Sequence, residues 1–160
     1  MARAAAAVSI LCHQVAALPW RREANGALSV LLITSRTNGK WMLPKGWPIK
    51  GLNEANSARQ EALEEAGVEG EIDEQAIGSY RYSKLLNNGT STPGQALIFP
   101  LAVTRERKDW KEKGQRQRRW VSPEEAARLA HEPDLARFLA NLAAGRVILA
   151  EASRAPVAAL

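Results

Sequence analysis

Residues 28–35 read Leu-Ser-Val-Leu-Leu-Ile-Thr-Ser, a nearly continuous apolar and β-branched run. Such a run has no polar face to turn to water, which is the sign of a strand buried on both sides. Gln95–Thr104 is a second run of this kind, with Pro100 suggesting a bulge or an edge. Further strand signals lie at Ser9–Leu18, at Trp41–Leu43, at Arg118–Val121 and at Ile77–Leu86, where Tyr80, Tyr82 and Lys84 fall at period two. Asn25-Gly26 and Asn38-Gly39 mark turns; Asn87-Asn88-Gly89 and Thr92-Pro93-Gly94 are expected to bracket a flexible connection.

Between the strands, Pro44–Leu52 carries two Pro, two Gly and two Lys and reads as a loop. A helix should follow, with Asn53 as N-cap, Glu54 in the first turn and Gly67 as the stop. Ala55, Ala58, Ala62 and Ala66 give it a narrow stripe of small side chains, able to pack close to a sheet. Two more helices are expected, one opening at Ser122-Pro123 and one from Asp134 to Ala144, closed by Gly145. No repeat or boundary divides the chain, so residues 1–145 read as a single domain and residues 146–160, rich in alanine, as a flexible tail.

With 46% hydrophobic and 24% charged residues the 160-residue chain has ordinary globular usage. One cysteine, Cys12, excludes an internal disulfide framework and any multi-cysteine metal site, and fits a reducing cytoplasm. No run is long and apolar enough for a spanning helix, so no membrane partner is expected. Met1–Cys12 has the look of a weak secretory leader, but a first strand explains the same residues. The net charge of +5 points to an anionic partner.

That charge is unevenly placed. Glu54–Glu74 holds eight acids and a single base, while Arg105–Arg119 holds eight bases and three acids. A solvated helix face is the common fate of an acidic run. Here Glu61, Glu64 and Glu65 fall at i, i+3 and i+4, within an arc of roughly 100° on one side of a helix. No base lies among them to relieve their repulsion. Carboxylates converging on one face of a rigid element are what a hard divalent cation needs.

With its flanks the segment reads Gly46-Trp-Pro-Ile-Lys-Gly-Leu52, seven residues, then Gln60-Glu61-Ala62-Leu63-Glu64-Glu65-Ala66-Gly67-Val68. It resembles the Nudix box, Gly-x5-Glu-x7-Arg-Glu-U-x-Glu-Glu-x-Gly-U, where U is bulky and apolar. The match holds at Gly46, Glu61, Glu64, Glu65, Gly67 and Val68, with Ala62 as a small U. Two positions depart: Leu52 stands for the first Glu and Gln60 for the Arg. In the family these two are thought to fix the loop against the helix, and the Arg to orient the next Glu. Both are lost together, as in a coordinated replacement. Asp109-Trp110 and Arg118-Arg119-Trp120-Val121-Ser122-Pro-Glu-Glu-Ala126 resemble the C-terminal part of the diphosphoinositol polyphosphate phosphohydrolase branch, which also acts on diadenosine polyphosphates.

The resemblance implies an α/β/α sandwich around a mixed β-sheet, with the box as loop–helix–loop. It implies a metal-dependent pyrophosphohydrolase using Mg²⁺ or Mn²⁺. Glu61, Glu64 and Glu65 would be catalytic and metal-binding, Glu61 and Glu65 as principal ligands and Glu64 as ligand or base. Gly46 would give a backbone carbonyl to the metal. Lys45, Lys50, Arg36 and Lys84 are candidates for substrate phosphates, and Arg116, Arg118 and Arg119 for a second phosphate site. The expected partner is a polyanionic phosphorylated small molecule, with a capped RNA end as the one nucleic-acid option, for a monomer or homodimer. The alternative is a Nudix-fold binding or regulatory module without catalysis.

Overall fold

The computed structural model describes residues 12–150. Strand β1 (Cys12–Arg22) lies at the centre of a mixed sheet. On one side it pairs in parallel with β7 (Ser91–Glu106), over Cys12–Trp20 against Gly94–Ala102. On its other side it pairs antiparallel with β4 (Lys45–Gly46) and then with β2 (Leu28–Thr34). Strand β2 also holds β3 (Trp41–Met42) and β8 (Arg118–Val121). The far side of β7 is shared by β6 (Gly78–Leu85) and β5 (Val68–Ile72).

Side chains alternate through this sheet into two cores, as period two requires. Ala16, Leu18, Val30, Leu32, Tyr80 and Ile98 join the core under α2 (Pro123–Leu129) and α3 (Pro133–Ala143). Val15, Ala17, Leu31, Ile33, Phe99 and Leu101 join the other, against Ala55, Ala58, Ala62 and Ala66 of α1 (Glu54–Glu61) and its last turn (Ala62–Ala66). The sheet is thus an interior layer between helices, and the alanine stripe is the face that lies on it. Asn53 caps α1 by accepting from the Asn56 amide, and Ser122 caps α2 by accepting from the Glu125 amide.

Several elements differ from the sequence reading. β5 gave no strand signal because it is an edge strand with two acids and a glycine; a Cβ at Gly70 would lie 2.0 Å from the Ala102 carbonyl oxygen. Thr92-Pro93-Gly94 belongs to β7, and Gly94 is needed there because the Tyr82 ring lies over it. The β6–β7 turn is confined to the residues between Leu86 and Thr90, which are joined by a backbone hydrogen bond of 2.8 Å. Pro100 sits inside β7, opposite the gap where the chain passes from β5 to β6, so its missing N–H interrupts no ladder. Of the expected tail, Leu149 is buried and Val147 packs on the same core; residues 151–160 lie outside the described part, as does the leader-like stretch 1–11. Among the described residues no helix is long and apolar enough to cross a membrane.

Candidate functional site

The C-terminal turn of α1 sets the site's geometry. The Gly67 amide reaches the Ala62 carbonyl five residues back as well as that of Leu63, so the turn is widened to π type. A wider turn advances fewer degrees per residue than an α-helix. Residues four apart then stack more nearly, and residues three apart fall to the side. Glu61 and Glu65 accordingly share one cleft, whereas Glu64 faces an adjoining hollow with Gln60, Asp109, Trp110 and Lys111. Gly67 ends the turn in the left-handed region at φ 67°, under the Trp110 ring, where any Cβ would be 2.5 Å from a ring carbon.

The cleft has a volume of about 560 Å³. Gly46 forms its floor against Glu61; a Cβ there would fall 2.4 Å from the Glu61 carboxyl carbon. Glu65 is buried and accepts a hydrogen bond of 3.1 Å from the Lys45 amide on β4. Its other oxygen lies 3.5 Å from an Arg116 nitrogen. The Arg116 guanidinium also donates to Glu112 at 2.8 Å and to the Thr34 carbonyl at 3.1 Å. Glu64 is held differently, by Gln60 at 2.8 Å and Lys111 at 3.6 Å.

Burial raises the pKa of Glu65 to about 8; Arg116 pulls it down and Glu61 pushes it further up. Glu61 is raised too, by burial first and by Glu64 next. Two desolvated carboxyls side by side hold a proton until a cation replaces it. Among the described residues no third His, Cys, Asp or Glu closes a full metal cluster. A pair suits Mg²⁺, which takes one or two carboxylates and completes its shell with water and substrate phosphate. The donor set therefore fits a hard divalent cation held by Glu61 and Glu65 beside Gly46.

These shifts predict a pH dependence. A folded-state pKa above the ordinary value near 4.5 gives stability that is fully present below that value and lost as pH rises through about 8. In chelator, the urea midpoint of the wild type should fall from pH 5 to pH 8 more steeply than that of Glu65→Gln. Saturating Mn²⁺ should remove the difference. Parallel curves for the two proteins in chelator would mean that Glu65 is already ionised.

Of the expected phosphate ligands, Lys45, Lys84 and Arg36 line the cleft. The Lys45 ammonium lies 4.3 Å from the Tyr82 ring centre, and burial lowers its pKa although Glu65 opposes this. Lys50 is exposed on the loop and is not among the lining residues. The arginine cluster is split. Arg116 enters the cleft. Arg118 caps the end of the α1 turn, donating to the Ala66 carbonyl at 2.8 Å and the Arg107 carbonyl at 3.0 Å while stacking on Trp110. Alternation along β8 sends Arg119 to the opposite face. Arg118 is therefore engaged with backbone away from the cleft, not placed to receive a substrate phosphate.

Sequence reasoning missed Gln14, Ser57 and Glu112. Gln14 lines the cleft and accepts from the Tyr82 hydroxyl; its signal was a polar side chain at a buried position of a central strand. Ser57 accepts from the Ile49 amide at 2.9 Å and so ties the loop to the helix, the task that an exposed Leu52 leaves open. Glu112 looked like one acid in a basic stretch, and only the fold brings its charge to bear on Glu61 and Glu65.

Nudix hydrolase 21, chloroplastic, of Arabidopsis thaliana is 37% identical over 124 residues, covering 72% of this chain and 58% of the relative. The chain spans somewhat over half the length of the curated relatives it matches. The C. elegans Ap4A hydrolase shares the fold at a TM-score of 0.59 and 19% identity, over 86% of this chain and 100% of that one. The NUDIX domain of Shewanella oneidensis NrtR, complexed with ADP ribose, does so at 0.61 and 12%, over 86% and 89%. The NUDIX domain model matches residues 13–142, from the central strand through the last helix and including every group just described, and the chain belongs to that family.

Proposed function

We propose that this protein hydrolyses a phosphoanhydride bond in a nucleoside diphosphate-linked or polyphosphorylated substrate, with Mg²⁺ or Mn²⁺ as cofactor. The observation that carries this reading is one cleft in which buried Glu65 and half-buried Glu61 face Lys45, Lys84, Arg36 and Arg116. Glu61 and Glu65 would hold the cation, which would supply the positive charge that polarises a phosphoryl oxygen and activates water. Lys45, Lys84 and Arg36 neutralise the remaining phosphate charge. A carboxylate not taken up by the cation would accept the water's proton; Glu64, the third acid of the box, would have to turn from the adjoining hollow to do so. A cytoplasmic location accords with a single cysteine.

Trp47 favours a nucleoside over an inositol skeleton. Trp47 is 50% exposed and lines the cleft with Met42, Pro48 and Ile49, with the Lys84 ammonium 5.7 Å from its ring centre. Engagement of Arg118 elsewhere also weakens the case for a second phosphate site. Stacking of a base on an aromatic ring contributes about 1–3 kcal/mol. Trp47→Ala should therefore raise KM about tenfold for diadenosine tetraphosphate or ADP-ribose and leave a diphosphoinositol substrate unaffected. Equal effects on both would assign Trp47 to the loop alone.

The activity itself is tested by product analysis on a panel of phosphoanhydrides with Mg²⁺, Mn²⁺ or chelator. Metal-dependent release of phosphate or a nucleotide is expected. No turnover on any compound, with tight binding retained, would support the non-catalytic module instead.

A further inference from the structure

We propose that Arg116 is the positioning residue of this site and supplies from the β7–β8 connection the guanidinium that Gln60 does not. The inference rests on the reading of Glu65 as a cation ligand. Gln60 is neutral and spends its amide on Glu64, so nothing within α1 orients Glu65 by charge. Glu65 instead has two external partners, the Lys45 amide at 3.1 Å and Arg116 at 3.5 Å. The Arg116 side chain is only 7% exposed and cannot wander. Its Nε is tied to Glu112 at 2.8 Å and its Nη1 to the Thr34 carbonyl at 3.1 Å, which leaves Nη2 turned to Glu65.

The tether is itself anchored. Thr34 and Gln117 exchange two hydrogen bonds, of 3.0 Å between backbones and 2.8 Å to the threonine hydroxyl. Arg116 is thereby fixed to the end of β2, in the rigid sheet, rather than to a free loop. A planar fork with several donors meets three acceptors at once, as a lysine ammonium on a flexible stem does not. The Glu112–Arg116 pair thus brings a guanidinium to the site from outside the box, directed at Glu65 rather than at the Glu that follows Gln60.

The test reads Glu65 directly. Amide exchange of Lys45 reports the hydrogen bond to Glu65, and that of Ala17, bonded to the Pro44 carbonyl at 3.0 Å, reports the same strand pair without Glu65. In Arg116→Met, Lys45 should exchange about tenfold faster, the size expected for loss of a hydrogen bond, with Ala17 unchanged. Arg116→Lys, which keeps the charge should the methionine variant fail to fold, should fall between. In the phosphoanhydride assay kcat should drop at least tenfold with KM little changed. Unaltered Lys45 exchange in a folded variant overturns the proposal, as does a rise in KM alone, which would make Arg116 a phosphate ligand. A wild type without turnover would sink the hydrolase reading and leave the exchange result to judge Arg116.

Discussion

Glu65→Gln is expected to lower kcat about a hundredfold, a barrier increase of roughly 2.7 kcal/mol. The substitution keeps shape and burial but removes the charge proposed to hold the cation, and a neutral amide oxygen is a weak substitute. Stability should move the other way. Glu65 is buried, and ionising it in the folded chain is disfavoured because its pKa stands at about 8. Above that pH, in chelator, the variant has no such charge to bury and should resist urea better than the wild type, on the order of a few kcal/mol. Lower activity with higher stability separates a functional group from a merely structural one. Turnover at the wild-type rate would remove Glu65 from the mechanism.

Gly46→Ala should abolish most activity without unfolding the protein. The backbone at Gly46 is ordinary in φ, so alanine is tolerated there conformationally. The added methyl, however, would meet the Glu61 carboxyl carbon at 2.4 Å and its oxygens at 2.5 and 2.8 Å. The carboxylate ends a flexible side chain, so it gives way and leaves Glu65. With one carboxylate displaced, Mn²⁺ affinity and kcat/KM should each fall at least about tenfold, while the thermal midpoint stays within the range of a surface substitution, about 0.5 kcal/mol. Calorimetric titration with Mn²⁺ beside a melting curve checks both. Intact Mn²⁺ binding would show that Glu61 need not stand against Gly46.

Much of the framework was legible because its signals are local. The apolar runs became β2 and β7, the alanine stripe became the buried face of α1, and the Asn53 and Ser122 caps stand where the chemistry of a helix start puts them. β5 was not legible, since an edge strand with Glu69 and Glu71 facing outward carries little apolar pattern. Nor was the place of Pro93 and Gly94, whose residue types read as a turn until the Tyr82 ring is seen to need the space.

At the site the division is similar. The spacing of Glu61, Glu64 and Glu65 put three acids on one helix, and straight α-helical geometry would have sent them out together. The widened last turn separates Glu64 from the other two, and Gly67, Trp110 and Arg118 meet at its end. Arg118 and Arg116 are two residues apart and chemically identical, yet one caps a helix and the other reaches Glu65. The family motif, the layers and the identity of the acids are written locally, because helix caps, periodicity and residue spacing act over a few residues. Which charges meet is settled by the packed fold, because Glu112, Arg116, Gln14 and Lys84 come from distant strands and loops, and their direction depends on packing that no local pattern encodes.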